Sequence, residues 1–289
     1  MTEDYELVDA EGVDRDAWEE IDVSETEADR IARRRDRRFE QFQKRIRDAD
    51  QFKSEGSVFD EATLAALYKL VQDGYVQAFG GPISTGKEAN VYTAMGSEEV
   101  GEVAVKIYRI NTSDFRHMQD YLAGDPRFEG IRNDKKSIVL AWTNKEFANL
   151  KRARRAGVRA PVPLAVERNV MVMEYLGTDG THAPTLADAR LENPQTAFEV
   201  VREYMARLYE AGLVHGDLSE YNIVVDDGEL VIIDLGQAVT IHHPNSDEFL
   251  DRDCRNVAAF FARQGLEVTG TELCSFVRER AESADDDAA

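Results

Sequence analysis

The stretch HGDLSEYN, from His215 to Asn222, followed twelve residues after Asn222 by Asp234-Leu235-Gly236, constrains this chain more than any other feature in it. Asp217 and Asn222 lie five residues apart and can hold an acceptor hydroxyl and a metal on a single loop. Asp234 ends an apolar strand, Leu230 to Ile233, so its carboxylate can take a metal–phosphate complex from the other side. The spacing reads as a phosphoryl-transfer centre. Any one of these residues alone would read as a helix cap or a turn.

Upstream, Lys106 sits in the apolar strand Ala104-Val105-Lys106, where an ammonium needs an anion or loses its charge. A nucleotide phosphate would supply that anion. Glu146, in a following helix, can pair with the same ammonium, although it and Lys145 lie in a charged segment with solvated alternatives. Between two strands lies GGPISTGKEANVY, Gly80 to Tyr92, where backbone N–H groups and small side chains can approach phosphates. Gly81, Gly86 and Lys87 nearly match a P-loop, but Glu88 replaces the metal-binding Ser or Thr and a strand follows where a helix should. As a phosphate-covering loop of the G-x-G-x-x-G-x-V kind, it has Gly86 and Val91 in register and Ser84 and Ala89 at the first and third glycine positions. Met173, Glu174, Tyr175 and Leu176 follow the last strand of this half and read as a linker whose backbone meets an adenine ring.

The 289 residues allow one large or two modest domains. Residues 1–29 and 283–289 read as disordered acidic tails. Residues 30–74 read as an N-terminal helical extension: a basic run, RIARRRDRRFEQFQKRIR, then a helix capped by Asp60 with Leu64, Leu67, Tyr68 and Val71 at helical spacing, ending at Gly74. The basic run fits a solvated helix packing its Phe39, Phe42 and Ile46 side on the body, or a nucleic-acid contact. Residues 75–174 read as a sheet with one helix: strands at Tyr75–Phe79, Asn90–Ala94, Glu102–Tyr108, Leu164–Glu167 and Val170–Glu174, and a helix at Trp142–Arg155. Residues 109–137 read as a long polar segment without clear periodicity, either a mobile functional loop near the nucleotide or plain disorder. Residues 175–282 become mainly helical, with a buried stripe at Phe198, Val201, Met205 and Leu208, a hairpin around Asp227-Gly228, and helices at Ser246–Arg263 and Thr269–Ala281.

The net charge of −21 disfavours whole-surface binding to nucleic acid and suits either a high-salt cytoplasm or simply two acidic tails. Two cysteines, Cys254 and Cys274, indicate neither a disulfide framework nor a zinc site. With no long apolar run and no signal pattern, the expectation is a cytoplasmic protein that makes no membrane contact.

Taken together, STGKEANVY, HGDLSEYN and IIDLGQAV resemble the RIO family of atypical protein kinases, most closely its first branch, over about Phe52 to Val277. The resemblance implies an α+β, two-lobed protein-kinase-like fold with a reduced, mainly helical second lobe. It implies an enzyme using ATP and magnesium, with manganese a plausible substitute, that phosphorylates serine, its own included, with Ser113 and Ser137 as candidate autophosphorylation sites. It also implies ATP turnover coupled to late maturation of the small ribosomal subunit, whose protein and rRNA would be partners. By position, Ser84, Lys87 and Lys106 would contact nucleotide, Asp217 would be catalytic, and Asn222 and Asp234 would hold metal. Gly216 replaces the Arg of H-R-D, and no A-P-E segment follows Asp234. The peptide-binding lobe of ordinary kinases is therefore missing, which raises the weight of ATP hydrolysis as the working reaction. A small-molecule phosphotransferase of the same fold and a non-catalytic nucleotide-binding scaffold remain the other two readings.

Overall fold

A computed structural model describes residues 59–288 apart from 111–114, 123–124, 129 and 179. The acidic N-terminal segment, the basic run and Ser113 lie outside the described residues. Helix α1 (Glu61–Gln72) starts where Asp60 accepts the Thr63 N–H at 2.7 Å, and Gly74 leaves it at φ +83°. Strands β1 (Ala78–Thr85), β2 (Ala89–Met95), β3 (Glu102–Tyr108), β4 (Pro163–Glu167) and β5 (Val170–Glu174) form an antiparallel sheet in the order β1-β2-β3-β5-β4.

Register sorts the side chains of this sheet onto two faces, because directly paired residues share a face. Tyr92, Val105, Val172 and Ala165 lie on one, where the Phe59 ring meets Tyr92 at 5.6 Å and Thr63 of α1 bonds Asn169. Val91, Lys106 and Met171 lie on the other, together with Ala104 and Met173 two positions away. Both faces are covered, which is why β3 is buried almost throughout and reads as a continuous apolar run broken only by Lys106.

Helix α2 (Phe115–Leu122) and a 3-10 turn (Pro126–Phe128) occupy the segment expected to be a polar loop. Met118, Tyr121 and Leu122 are buried at i, i+3, i+4 spacing, a signal too short in eight residues to stand out from sequence. Helix α3 (Lys135–Arg155) begins seven residues before the expected start at Trp142. Asp134 caps it by accepting the Ser137 N–H at 2.9 Å, but Lys135 and Lys136 in its first turn lack the acidic signature of a helix start. Strand β1 also differs from expectation. It continues through Pro82 to Thr85, with register shifts either side of Pro82; a proline without an N–H is tolerated at a bulge on this edge strand. The glycine-rich loop is thereby reduced to a turn at residues 86–88.

Beyond two short strands, β6 (Gly177–Thr178) and β7 (Thr181–His182), the second lobe is built on helix α4 (Pro194–Glu210), capped by Asn193, with Phe198, Val201, Met205 and Leu208 buried. Strand β8 (Leu213–Val214) pairs β11 (Val239–Thr240), and β9 (Ile223–Asp226) pairs β10 (Glu229–Ile232) around Asp227 and Gly228, both at positive φ as a tight hairpin turn requires. Helices α5 (Ser246–Arg263) and α6 (Gly270–Ala288) close the lobe. Helix α6 runs through Ser283, where an acidic tail was expected to begin. One cluster spans Met171 of β5, α2, α3 and the apolar stripes of α4, α5 and α6, so the loops that carry Asp217 and Asp234 rest on a continuous core.

Candidate active site

Lys106 reaches across from β3 to two carboxylates. Its Nζ lies 2.8 Å from Glu146 of α3 and 2.9 Å from Asp234, while the Tyr108 hydroxyl donates to the other Glu146 oxygen. Glu146 is 1 % exposed, so the solvated alternative for it, and for Lys145 at 0 %, is excluded. Burial works against the Lys106 charge, but Asp234 and Glu146 outweigh it and hold the ammonium well above the ordinary lysine range. Burial likewise opposes the Asp234 carboxylate, and Lys106 reverses that, holding it below its ordinary value although half of the side chain faces the cleft. Asp234 adopts φ +60°, a conformation that costs a non-glycine residue free energy and turns the carboxylate toward Lys106.

The HGDLSEYN loop connects β8 to β9 and is held from three sides. His215, 2 % exposed, accepts the Asp217 N–H on Nδ1 at 3.3 Å and so donates from Nε2 to the Ile233 carbonyl at 3.0 Å, which ties this loop to the strand end before Asp234. Gly216 sits at φ +78°, and a Cβ there would meet the Gln237 carbonyl at 2.9 Å, which explains a glycine where ordinary kinases carry Arg. From α5, Asp253 accepts the N–H groups of Gly216 at 2.7 Å and Leu218 at 2.8 Å, Arg252 donates to the Gly216 carbonyl, and Asn256 donates to the Leu218 carbonyl at 3.2 Å.

Asp217 is aimed by its neighbours: its Oδ2 accepts from Gln237 at 3.2 Å and from Asn222 at 3.4 Å. Burial, reinforced by Asp234, raises its pKa against the pull of His215 and Arg252, a direction suited to a proton acceptor. Asn222 donates its amide nitrogen to the Asp217 carbonyl at 2.8 Å, which leaves the amide oxygen to ligate a cation. Among the described residues no three His, Cys, Asp or Glu side chains cluster as a ready-made metal cage. A pair such as Asn222 and Asp234 suits magnesium, which is held by few protein oxygens and completes its shell with phosphates and water.

The remaining sequence candidates divide. Val91 and Met173 line the Lys106 face of the sheet, Ser84 is an exposed residue of β1 paired with Val91, and Gly86 and Lys87 lie in the exposed β1–β2 turn. Met173 and Glu174 belong to β5, and only Tyr175 and Leu176 form the linker expected to begin at Met173. The Glu174 carboxylate is committed to Arg159 at 2.7 and 2.9 Å and to the Val162 N–H, so its side chain braces β4 and turns away from the cleft. Sequence reasoning missed Gln237, Arg252, Asp253, Lys145 and Asn149. The signal for Asp253 was a carboxylate on the same helical stripe as Phe249, Leu250, Cys254 and Val257, and for the α3 pair a Lys and an Asn on the stripe of Trp142, Leu150 and Ala153.

Burial pushes the Asp253 carboxyl up to about 6 from an ordinary 3.8. A group whose folded pKa is raised stabilises the fold most below its unfolded value and loses that contribution as pH rises through about 6. Activity is therefore expected to fall as pH drops through about 6 with the fold intact, because protonation of Asp253 weakens its hold on the Gly216 and Leu218 N–H groups. Asp253→Asn is expected to remove the part of the acid limb near pH 6, leaving the limb that Asp217 supplies as proton acceptor, and to lower kcat by roughly 10- to 100-fold. A pH–rate profile with the limb unchanged in the variant would contradict the assignment.

A two-lobed fold in which a strand Lys bridges a helix Glu and an Asp after a short strand, facing an Asp–Asn loop, defines a protein-kinase-like enzyme. Comparison with known proteins bears this out: residues 90–273 match the RIO domain model. The chain is 64 % identical to the RIO-type serine/threonine-protein kinase Rio1 of Haloferax volcanii over 99 % of this chain and all of that protein. It is 39 % identical to the Rio1 of Methanocaldococcus jannaschii over 79 % of this chain and 78 % of that protein. The chain belongs to the RIO family of serine/threonine-protein kinases. The solved Rio2 kinase–ADP/Mg2+–phosphoaspartate complex from Chaetomium thermophilum shares the fold at a TM-score of 0.55 and 22 % identity, covering 74 % of this chain and 66 % of that one. No described helix is long and apolar enough to cross a membrane.

Proposed function

We propose that this chain is an ATP- and magnesium-dependent serine/threonine kinase and ATPase that phosphorylates itself and acts in the cytoplasm on the maturing small ribosomal subunit. The observation that carries the reading is Lys106 held between Glu146 and Asp234 opposite the Asp217–Asn222 loop. Asp217 orients the acceptor hydroxyl or water and takes its proton, and Lys106 neutralises phosphate charge. Asn222 and Asp234 would hold magnesium, with manganese a substitute, and the metal when bound supplies charge neutralisation across the phosphates. Ser84, Gly86 and Lys87 would cover the phosphates, Val91 and Met173 would flank the base, and the backbone from Glu174 through Tyr175 would meet its edge.

Two features favour hydrolysis over phosphorylation of varied peptides. After Asp234 the chain goes directly through β11 into α5, which is occupied in holding the Asp217 loop, and no A-P-E segment intervenes. The relative crystallised as an ADP/Mg2+–phosphoaspartate complex makes an enzyme carboxylate a phosphate acceptor to look for here too. The same compactness leaves little for the pocket that a small-molecule phosphotransferase needs.

The test is ATP turnover with and without small ribosomal subunits. Addition of subunits is expected to raise phosphate release several-fold, and charge reversal across Arg33–Arg38 is expected to remove that rise at low salt. Turnover indifferent to subunits would overturn the ribosomal role. Hydroxylamine then separates an acyl phosphate, which it cleaves, from a phosphoserine, which it does not.

A further inference from the structure

Helix α3 does more than carry Glu146. On the same buried face, Lys145 donates from Nζ to the Gly236 carbonyl at 2.8 Å, and Asn149 donates from Nδ2 to the carbonyls of Leu235 at 3.1 Å and Ala238 at 3.0 Å. Both side chains are 0 % exposed. Asn149 is fully committed, because its oxygen accepts from both terminal nitrogens of Arg127 at 3.2 Å, and Arg127 is itself clamped by Asp125 at 2.7 Å. Gly236 is pressed against the same helix: a Cβ there would meet Trp142 Nε1 at 3.0 Å and the Tyr108 hydroxyl at 3.3 Å. Three hydrogen bonds and one close glycine contact thus seat the backbone after Asp234 on α3.

Lys145 is the unusual member. Its amino group is buried with a carbonyl as its hydrogen-bond acceptor and the rings of Trp142 at 4.8 Å and Tyr121 at 5.8 Å beside it, with no carboxylate in ion-pair contact among the described residues, and burial pulls its pKa down to about 7. Burying an amine on such terms is costly whether it keeps its proton or gives it up, and an apolar side chain of similar volume would serve packing as well or better. A purely structural role accounts poorly for it.

We propose that Lys145 and Asn149 are positioning residues that lock the Asp234-Leu235-Gly236 backbone to α3, so that one helix sets both the Lys106 ammonium, through Glu146, and the left-handed Asp234 carboxylate. In this arrangement α3 cannot swing out while the Asp234 segment stays in place: the Lys106–Glu146 pair and the Asp234 geometry are made and lost together. The inference rests on reading Asp234 as the metal ligand, and its test is read first without metal or nucleotide.

The experiment uses the full chain with Lys145→Met and, independently, Asn149→Ser. Amide hydrogen exchange in the apo protein follows residues 234–239 against the Asp217 loop, residues 215–222, which is held from α5. Exchange over 234–239 is expected to rise by more than about tenfold in each variant while 215–222 stays within about twofold. The Mg2+ concentration for half-maximal ATP turnover is expected to rise by about tenfold, with metal-free nucleotide affinity unchanged. Equal loosening of both segments, as general destabilisation would produce, or no change in either, overturns the lock. If the parent protein lacks Mg2+-dependent turnover while the variants still loosen 234–239 selectively, the lock stands and the functional reading fails.

Discussion

Asp217→Ala is expected to lower kcat for ATP turnover and self-labelling by about 10²–10⁴-fold while the Kd for ATP stays within about threefold. The split follows from where the carboxylate sits. Gln237 and Asn222 aim it into the cleft, and its pKa is raised by burial and by Asp234, so it can accept a proton as the phosphoryl group moves. It makes no contact with Lys106, whose partners are Glu146 and Asp234, so the phosphate-binding charge survives its loss. The loop also survives, because Asp253, Arg252 and His215 hold its backbone and not the Asp217 side chain. Turnover unchanged by the substitution, measured beside nucleotide titration, would remove Asp217 from the reaction.

Lys106→Met is expected to damage both activity and stability, and a second substitution separates the two. Removing the ammonium leaves Glu146 buried and uncompensated, which costs about 3–5 kcal/mol and lowers Tm by about 10 °C. Activity should fall at least 10²-fold, since the phosphates lose their cation and Asp234 loses the partner that holds it ionised. Lys106→Met combined with Glu146→Gln removes the stranded charge, so much of the lost Tm should return while turnover remains absent. Thermal melts and steady-state rates on the two variants check this. Recovery of activity along with stability would mean that Lys106 serves the fold and not the phosphates.

The parts of the candidate site legible in the sequence were those where one residue type suits the expected chemistry at a fixed offset. Lys106 reaches Glu146, a pairing the sequence left open against solvated alternatives, and Asp234, while Asn222 reaches Asp217 on the loop they were expected to share. What stayed hidden were the residues that act through the backbone. Asp253, Lys145 and Asn149 bond N–H and C=O groups 35 to 91 positions away, and no local pattern records a long-range hydrogen bond to a main chain. Their only trace is a polar residue on a stripe that amphipathicity reserves for apolar ones. The glycines were half legible. Gly216 announced a departure from H-R-D, but the need for it arises from the Gln237 carbonyl, and Gly236 answers to Trp142, ninety-four positions earlier.

Fold errors had the same origin. The β1 extension depends on a bulge at Pro82 that lets a proline sit in an edge strand, and the early start of α3 depends on the Asp134 cap overriding two lysines at the positive end of the helix dipole. Helix α2 was invisible because three buried residues in eight carry little periodic signal, although Tyr121 stacks on Phe249 and helps seat Arg252 against the Asp217 loop.

The central claim, that the Lys106–Asp217–Asn222–Asp234 constellation transfers the terminal phosphate of ATP, is tested most directly with γ-labelled ATP and magnesium at low and at molar salt. Free phosphate and protein-bound label are followed together in the parent and in Asp217→Ala. The account predicts magnesium-dependent label on the parent chain with phosphate release, both lost in the variant. Neither label nor release from the parent under any condition would contradict it and leave a nucleotide-binding scaffold.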